Sequence, residues 1–275
     1  MNQYQQEQFF ARYGQWAVVT GASSGIGEAM ARELAAAGLD LVLVARREGE
    51  LKRLAAEIAG RHVRQPRVLA VDLAQPAGLA AVEAATAGLD VGLVVLAAGF
   101  GTSGPFLGAN YAEETAMLDL NCRAVLAQSL HFGRRFATNG RGGLILFGSL
   151  VGFQGAPTAA HYAATKAYVQ TLGEALHVEL APRGVDVLVS APGPVHSGFG
   201  ARARMRMGAA ETPATVARAT LKALGRRMTV TPGMLSKFLT WSLMTAPRPL
   251  RTRIMGRIMG GMTRGQAQAA APVNG

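Results

Sequence analysis

The stretch VTGASSGIGEAM, residues 18–29, decides the fold of this chain. It follows an apolar run and leads into a helical pattern, so its three glycines lie between a predicted strand and a predicted helix. Gly21 permits a tight turn, while Gly25 and Gly27 let another group approach the backbone closely. Because the N–H groups at a helix start attract anions, this stretch predicts a site for the pyrophosphate of a dinucleotide. The alternative is a turn with a purely structural role.

Short apolar runs alternate with helical patterns along most of the chain. The predicted strands are 16–20, 40–45, 67–72, 91–97, 143–149 and 186–191. The helical patterns between them are 25–37, 47–60, 76–86, 111–138 and 159–181. Most strands are nearly continuous hydrophobic runs, which is typical of strands buried on both faces. We therefore predict an α/β fold: a doubly wound parallel sheet of the Rossmann type, with three αβα layers.

Length and composition suit a single domain. The chain has 275 residues, 49% of them hydrophobic, which is enough for a sizeable core. We predict one dinucleotide-binding catalytic domain over 1–265, with 196–265 as a substrate lid and a basic amphipathic segment, and a disordered tail over 266–275. The single cysteine excludes an intrachain disulfide. We expect a cytoplasmic protein, because we find no membrane-spanning run and no signal-peptide pattern.

The positive charge is confined to the C-terminal part of the chain. Residues 1–195 hold 15 basic and 16 acidic side chains, whereas residues 196–275 hold 13 basic side chains and one acid. Within 233–264, basic and large apolar residues are mixed without any acid, which is typical of a membrane interface. The alternative is an oligomer contact or a core-packing helix. The expected acidic partners are an anionic membrane surface, to which the protein would bind peripherally, an acidic carrier protein, or a phosphate-bearing substrate. We expect no nucleic acid, because no recognition motif accompanies the charge.

The end of the second predicted strand indicates which dinucleotide binds. It reads LVLVARRE, in which Ala45 is followed by Arg46 and Arg47. An acid here would hold the 2′-hydroxyl of NAD, whereas an arginine suits the 2′-phosphate of NADP. We therefore predict NADP(H), with Arg46 as the main contact. The alternative is that both arginines belong to a solvated helix start.

Three polar residues after the fifth predicted strand are candidates for the chemistry. Ser149 ends this strand, and Tyr162 and Lys166 have the spacing that places two side chains on one helix face. An ammonium group favours the phenolate form of a nearby tyrosine, so we expect Lys166 to lower the pKa of Tyr162. A serine hydroxyl beside them can bind the same carbonyl oxygen. We predict no metal site, because the histidines lack metal-ligand spacing.

The segment after the last predicted strand is a candidate substrate lid. Over 198–211, the arginines at 202, 204 and 206 alternate with alanine and methionine. Such a strip can accept an apolar chain and face an anionic group. It is equally well explained as a mobile lid with solvated arginines.

These motifs together resemble the short-chain dehydrogenase/reductase family. The likeness covers roughly residues 10–195, with weaker support to about residue 231. Further matching motifs are Asp72, AAG at 97–99, Asn121 and PGPVHS at 192–197. The resemblance implies an oxidoreductase that moves a hydride between NADP(H) and a carbonyl or alcohol, and we expect a hydrophobic ketone or a β-ketoacyl compound as substrate. We also expect a homodimer or homotetramer. The alternative is a non-catalytic NADP-binding regulator or scaffold on the same fold.

The resemblance also implies roles for single residues. Tyr162 is expected to donate or accept the proton, Lys166 to bind the nicotinamide ribose, and Ser149 to orient the reacting oxygen. Asn121 is expected to anchor a water of the proton relay. The implied cofactor contacts are Gly21, Ser23, Ser24, Gly25, Ile26, Gly27, Arg46, Asp72, Leu73, Gly99, Tyr162, Lys166, Pro192, Gly193, Val195 and Ser197. The chain departs from the family pattern at 96–99, which read LAAG where Asn-Asn-Ala-Gly is usual.

Overall fold

Seven parallel strands form one sheet in the computed structural model, which describes residues 3–61 and 65–263. The strands are β1 (Trp16–Thr20), β2 (Asp40–Ala45), β3 (Arg67–Ala70), β4 (Val91–Leu96), β5 (Gly142–Phe147), β6 (Val185–Ser190) and β7 (Thr229–Val230). Their order in the sheet is β3-β2-β1-β4-β5-β6-β7, and every neighbouring pair is parallel. The strand order reverses at β1, because β2 and β3 lie on one side of it and β4 to β7 on the other. Such a switch point opens a crevice at the carboxyl edge of the sheet. The predicted fold class is confirmed.

The interior strands are buried on both faces, as their hydrophobic runs predict. β2, β4 and β5 are buried at every position. β3 differs because it lies at the edge of the sheet, where its first and last residues are exposed. β7 lies at the opposite edge of the sheet and is not among the strands predicted from the sequence. Its two residues are too few to produce a hydrophobic pattern.

Helices cover both faces of the sheet. They are α1 (Gln3–Tyr13), α2 (Gly25–Ala36), α3 (Glu48–Ala59), α4 (Pro76–Thr86), α5 (Tyr111–Leu118), α6 (Ala124–Asn139), α7 (Ala160–Leu180), α8 (Phe199–Arg202), α9 (Pro213–Ala223), α10 (Met234–Met244) and α11 (Arg248–Met262). α2, α3 and α9 pack into one apolar core on one face. α4, α6 and α7 pack into a second core on the other face. The sheet and these two layers give the predicted αβα arrangement.

The helices differ from the sequence-based expectation in the middle of the chain and at its start. The predicted helix over 111–138 is interrupted by one π-helical turn, Asp119–Arg123, between α5 and α6. α1 was not predicted, because its apolar group of Phe9, Phe10 and Tyr13 is confined to its C-terminal part and follows a run rich in glutamine. Other boundaries follow local chemistry. Thr212, for example, accepts a hydrogen bond from the backbone N–H of Thr215 and caps α9.

A third apolar cluster joins the C-terminal helices to the carboxyl edge of the sheet. Leu243 of α10 and Met255 and Met259 of α11 pack in one cluster with Tyr162 of α7 and Met205. These helices therefore form a wall of the crevice. The predicted tail over 266–275 lies outside the described residues, and the division into domain and lid stays a prediction. Within the described ranges, no helix has the length and apolar character needed to cross a bilayer.

Candidate active site

A cavity of about 590 Å³ occupies the crevice at the carboxyl edge of the sheet. Its walls come from the glycine-rich turn, the ends of β2, β4 and β5, the start of α7 and the C-terminal helices. The predicted site residues that line it are Gly21, Ser23, Ser24, Gly25, Ile26, Gly27, Arg46, Asp72, Leu73, Gly99, Ser149, Tyr162, Lys166, Pro192, Gly193, Val195 and Ser197. The structure therefore brings both halves of the predicted site to one cavity. Asn121 is the predicted residue that lies behind its wall.

The glycine-rich turn has the shape of an anion cradle. Gly21 and Gly25 have left-handed backbones, with φ of +66° and +60°, a conformation that favours glycine. A Cβ on Gly27 would lie 2.4 Å from the carbonyl oxygen of Gly21, so α2 packs directly against the turn. α2 begins at Gly25 and presents its first N–H groups at this wall. The backbone thus fits a pyrophosphate group, as the sequence predicts.

Two arginines lie beside this cradle. Arg47 donates hydrogen bonds to the hydroxyls of Ser23 (3.0 Å) and Ser24 (2.7 Å). Arg46 lies 3.8 Å from Asp72, and both arginines line the cavity. The sequence predicts Arg46 as the main contact and assigns no role to Arg47. Because neighbouring side chains leave a loop in different directions, only the structure shows that Arg47 turns towards the cradle.

Ser149, Tyr162 and Lys166 meet at the end of β5. Lys166 lies one helical turn after Tyr162, and its Nζ is 5.8 Å from the centre of the tyrosine ring. The same Nζ donates a hydrogen bond of 2.8 Å to the carbonyl oxygen of Phe147. Tyr162 and Lys166 are both buried, although they line the cavity. An acid–base group and a cation therefore share one poorly solvated corner.

Burial dominates the protonation of this pair. Burial raises the pKa of Tyr162 well above its usual range, and a hydrogen bond with Ser149 opposes this with a smaller effect. Burial also lowers the pKa of Lys166 from 10.5 to about 8, while the nearby Cys122 opposes it. Burial therefore outweighs any effect of Lys166 on the pKa of Tyr162, and the expectation that Lys166 lowers this pKa stays a prediction. The hydrogen bond of the ammonium group goes to a strand carbonyl, and the phenolate would lose its solvation.

Asn121 lies in the π-helical turn and is buried behind the cavity. Its amide nitrogen donates to the carbonyl of Phe100 (2.8 Å) and to the hydroxyl of Thr165 (3.1 Å). Its side-chain oxygen accepts from the backbone N–H of Phe100 at 3.1 Å. The side chain thus holds the 99–100 backbone against α7. A role in a proton relay stays a prediction.

A buried side chain of β1 is hydrogen-bonded to the segment that contains the unusual sequence at 96–99. The buried hydroxyl of Thr20 accepts a hydrogen bond of 3.1 Å from the backbone N–H of Ala98 and donates one of 3.2 Å to the carbonyl of Val95. Thr20 therefore ties the end of β1 to the segment that follows β4.

The substrate half of the cavity is mainly apolar. The rings of Tyr162 and Phe199 lie 5.3 Å apart between centres. The guanidinium of Arg202 stacks over Phe100, 4.7 Å from the ring centre. Further lining residues, none of them predicted as site residues, are Met205, Met207, Leu239, Leu243, Met255, Ile258, Met259 and Met262. Of the three lid arginines, Arg202 is the one that lines the cavity.

His161 precedes Tyr162 but faces another element. Its Nδ1 lies 2.6 Å from a carboxylate oxygen of Glu114 in α5, so it helps to fasten α5 to α7. Among the residues that the structure describes, no group of histidine, cysteine and acidic side chains is arranged to hold a metal.

Comparison with known proteins identifies relatives of this chain. The family described as short chain dehydrogenase matches residues 15–207. A 7beta-hydroxysteroid dehydrogenase from Clostridium sardiniense is 37% identical over 185 residues, which cover 67% of this chain and 71% of that protein. A very-long-chain 3-oxoacyl-CoA reductase from Meyerozyma guilliermondii is 33% identical over 234 residues, or 80% of this chain and 68% of the relative.

A solved structure agrees with these relatives. The short-chain dehydrogenase from Sphingobium yanoikuyae in complex with NADPH has a TM-score of 0.76 and 28% identity. The match covers 94% of this chain and 97% of that one. The similarity therefore extends over the described C-terminal helices as well as the sheet.

Replacing Lys166 with methionine tests the effect of burial on its charge. The unfolded chain binds more protons than the folded chain between the folded pKa of about 8 and the unfolded value of 10.5. Burial of the charge is therefore unfavourable below pH 8, and this effect fades as the pH rises. Urea unfolding at about pH 7.5 and about pH 9.5 should show the wild type gaining about 2 kcal/mol relative to Lys166→Met. If the free energy of unfolding depends on pH in the same way in both proteins, the pKa of Lys166 is not lowered by burial.

Proposed function

Because the chain belongs to the short-chain dehydrogenase family, we propose that Ser149, Tyr162 and Lys166 carry out hydride-transfer chemistry in this cavity. As a member of this family, the chain is an oxidoreductase that acts on carbonyl and alcohol groups and uses NADP(H) as its cofactor. The observation that carries the proposal is that these three residues face the same cavity as the glycine-rich turn. A non-catalytic regulator on this fold would not require that arrangement.

The cradle and its neighbours fit NADP(H). The N–H groups at the start of α2 would hold the pyrophosphate, and Arg46 and Arg47 would hold the 2′-phosphate. Asp72 and Leu73 would contact the adenine. The remaining proposed contacts, on the nicotinamide side, are Gly99, Lys166, Pro192, Gly193, Val195 and Ser197. When bound, the cofactor supplies a hydride to the carbonyl carbon or accepts one from the alcohol.

Tyr162 is placed to exchange the proton. Burial keeps its phenol protonated at neutral pH, so in the direction of reduction it donates its proton to the substrate oxygen. Ser149, which lines the cavity together with Tyr162, would orient the same oxygen. The positive charge of Lys166 stabilises the phenolate that remains. In this proposal Tyr162 and Ser149 both act at the substrate oxygen, and Lys166 acts at the phenolate oxygen of Tyr162.

The apolar half of the cavity favours a bulky hydrophobic substrate. Phe199 packs beside Tyr162, so an apolar body must lie next to the reacting carbonyl. Leu243, Met255 and Met259 form the facing wall. The relatives named for a hydroxysteroid and for very-long-chain 3-oxoacyl-CoA support this size class. We infer a hydrophobic ketone or a β-ketoacyl compound.

We also propose that the chain forms a homodimer or homotetramer. Three leucines on α5 and α6, at positions 118, 126 and 130, are exposed to solvent. Leu126 and Leu130 are four residues apart and share one helix face. Such an apolar stripe supports a subunit contact. An acidic partner, whether a membrane surface or a carrier protein, would meet the basic C-terminal segment.

The Tyr162→Phe variant should lose nearly all turnover and keep its affinity for NADPH. The ring remains and only the transferable proton is lost. Loss of NADPH absorbance with a ketone panel measures turnover, and fluorescence titration measures affinity. Tyr168→Phe, on an exposed part of the same helix, is the matched control. Turnover near that of the wild type in Tyr162→Phe would refute the mechanism.

Arg46→Ala and Arg47→Ala should weaken NADPH far more than NADH, because NADPH alone carries the 2′-phosphate. Charge-assisted hydrogen bonds of this kind contribute about 1.5–3 kcal/mol, which corresponds to roughly ten- to a hundredfold in Kd. Titration with both cofactors gives the two ratios. Arg53→Ala serves as control, since this exposed α3 arginine pairs with Glu28 and Glu50 outside the cavity. Equal affinity of the wild type for NADH and NADPH would show the assignment to be mistaken.

Arg202→Gln should reduce the preference for anionic substrates, because this guanidinium is the one in the lid that faces the cavity. Suitable probes are 4-(4-oxocyclohexyl)benzoate and its methyl ester. The ratio of kcat/KM for the acid to that for the ester should fall about tenfold or more. Arg206→Gln, at an exposed position outside the cavity, should leave the ratio unchanged. An unchanged ratio in Arg202→Gln would exclude an anion contact at this position.

A further inference from the structure

The C-terminal helix pair, residues 234–262, has two different faces. Leu239 and Leu243 of α10 and Met255 and Met259 of α11 point inward and line the substrate cavity. These inward positions repeat every four residues, so each helix presents one stripe to the cavity. The opposite stripes face away from the protein.

The outward face of α10 carries three large apolar side chains. Met234, Phe238 and Trp241 are 81%, 62% and 67% exposed. They lie at positions i, i+4 and i+7 of one helix and therefore form a continuous stripe. Leu250 of α11, which does not line the cavity, is also exposed. A row of this kind is unusual on a free protein surface and marks an interaction site.

Positive charge surrounds this stripe. Lys237 lies within it on α10, and Arg248, Arg253 and Arg257 are exposed on α11. The chain has no Asp or Glu after Glu211. The outward surface of the helix pair therefore combines apolar anchors with cations and contains no acidic side chain of its own.

We propose that the outward face of the helix pair docks on an anionic lipid bilayer. Aromatic and methionine side chains enter the headgroup boundary, while lysine and arginine contact lipid phosphates. A second copy of the chain is a poorer occupant. A two-fold contact would place this cationic face against itself, where like charges repel.

Docking would have a consequence for the cavity. The helices that contact the bilayer are the same helices that wall the substrate half, so the cavity would lie directly behind the lipid surface. Apolar ketones accumulate in bilayers, and a docked enzyme would meet them there. This inference goes beyond the proposed reaction, and its assays need no substrate. Its failure would leave the reductase assignment untouched.

Tryptophan fluorescence gives a direct test, because the chain has two tryptophans. Trp16 opens β1 and packs against Arg67, far from the helix pair. Trp16→Phe therefore leaves Trp241 as the only reporter in the full chain. Vesicles of phosphatidylglycerol and phosphatidylcholine should shift its emission to shorter wavelength, and brominated lipids should quench it. The shift should be much weaker with pure phosphatidylcholine or at about 0.5 M salt, where charges are screened.

Vesicle sedimentation of variants separates the apolar and ionic contributions. Phe238→Ser should reduce binding about tenfold or more, since one large side chain no longer enters the lipid. Arg253→Gln combined with Arg257→Gln should weaken binding at low salt. Val178→Ser is the matched control, because Val178 is 63% exposed near the end of α7, away from the cavity. Circular dichroism and NADPH titration check that each variant is folded.

The proposal is wrong if Trp241 emission stays unchanged with anionic vesicles at low salt. It is also wrong if Val178→Ser reduces binding as much as Phe238→Ser does. Analytical ultracentrifugation provides a third test. If Phe238→Ser dissociates an oligomer of the wild type, a second copy covers this face and the lipid assignment is overturned.

Discussion

The absence of a side chain at Gly21 and at Gly27 is the constraint on which the cavity depends. A Cβ on Gly27 would lie 2.4 Å from the carbonyl oxygen of Gly21, and one on Gly21 would lie 2.8 Å from that of Ala97. The start of α2, the end of β1 and the segment after β4 are therefore in direct backbone contact. Any side chain here would push these walls apart, and the N–H groups at the start of α2 would move away from the cofactor phosphates.

Burial at the end of β5 fixes the charge of the reacting groups as well as their position. The corner that holds Tyr162 and Lys166 is walled by Phe199 and by apolar residues of the C-terminal helices. In such surroundings both charged forms are unfavourable, so the phenol stays neutral and the pKa of the amine falls to about 8. A neutral phenol is the form that can donate a proton. In the proposed mechanism, the low solvation that disfavours the phenolate would thus keep Tyr162 in the form that donates a proton during reduction.

The sequence predicts features that depend on nearby residues and misses those that depend on distant ones. Hydrophobic runs predict six of the seven strands, and β7 is missed because two residues have no period. Glycine spacing and the i, i+4 pair of Tyr162 and Lys166 place both halves of the site. The direction of a side chain depends on what surrounds it in three dimensions. Arg47 turns to the cradle, and Asn121 braces Phe100, for reasons that no local pattern contains.

The two ends of the cavity constrain a substrate in different ways. At the end with Tyr162, Lys166 is tied to the end of β5 by a hydrogen bond to the carbonyl of Phe147, and in the proposed mechanism the reacting oxygen would bind beside Tyr162 and Ser149. The other end is walled by Met205, Met255 and Met259, whose flexible thioether chains adapt to irregular shapes. A fixed polar end selects the position and the face of the carbonyl, whereas a soft apolar end selects only volume and hydrophobicity. If the proposed mechanism holds, we therefore expect the cavity to fix the position of the reacting carbonyl and to accept different apolar groups attached to it.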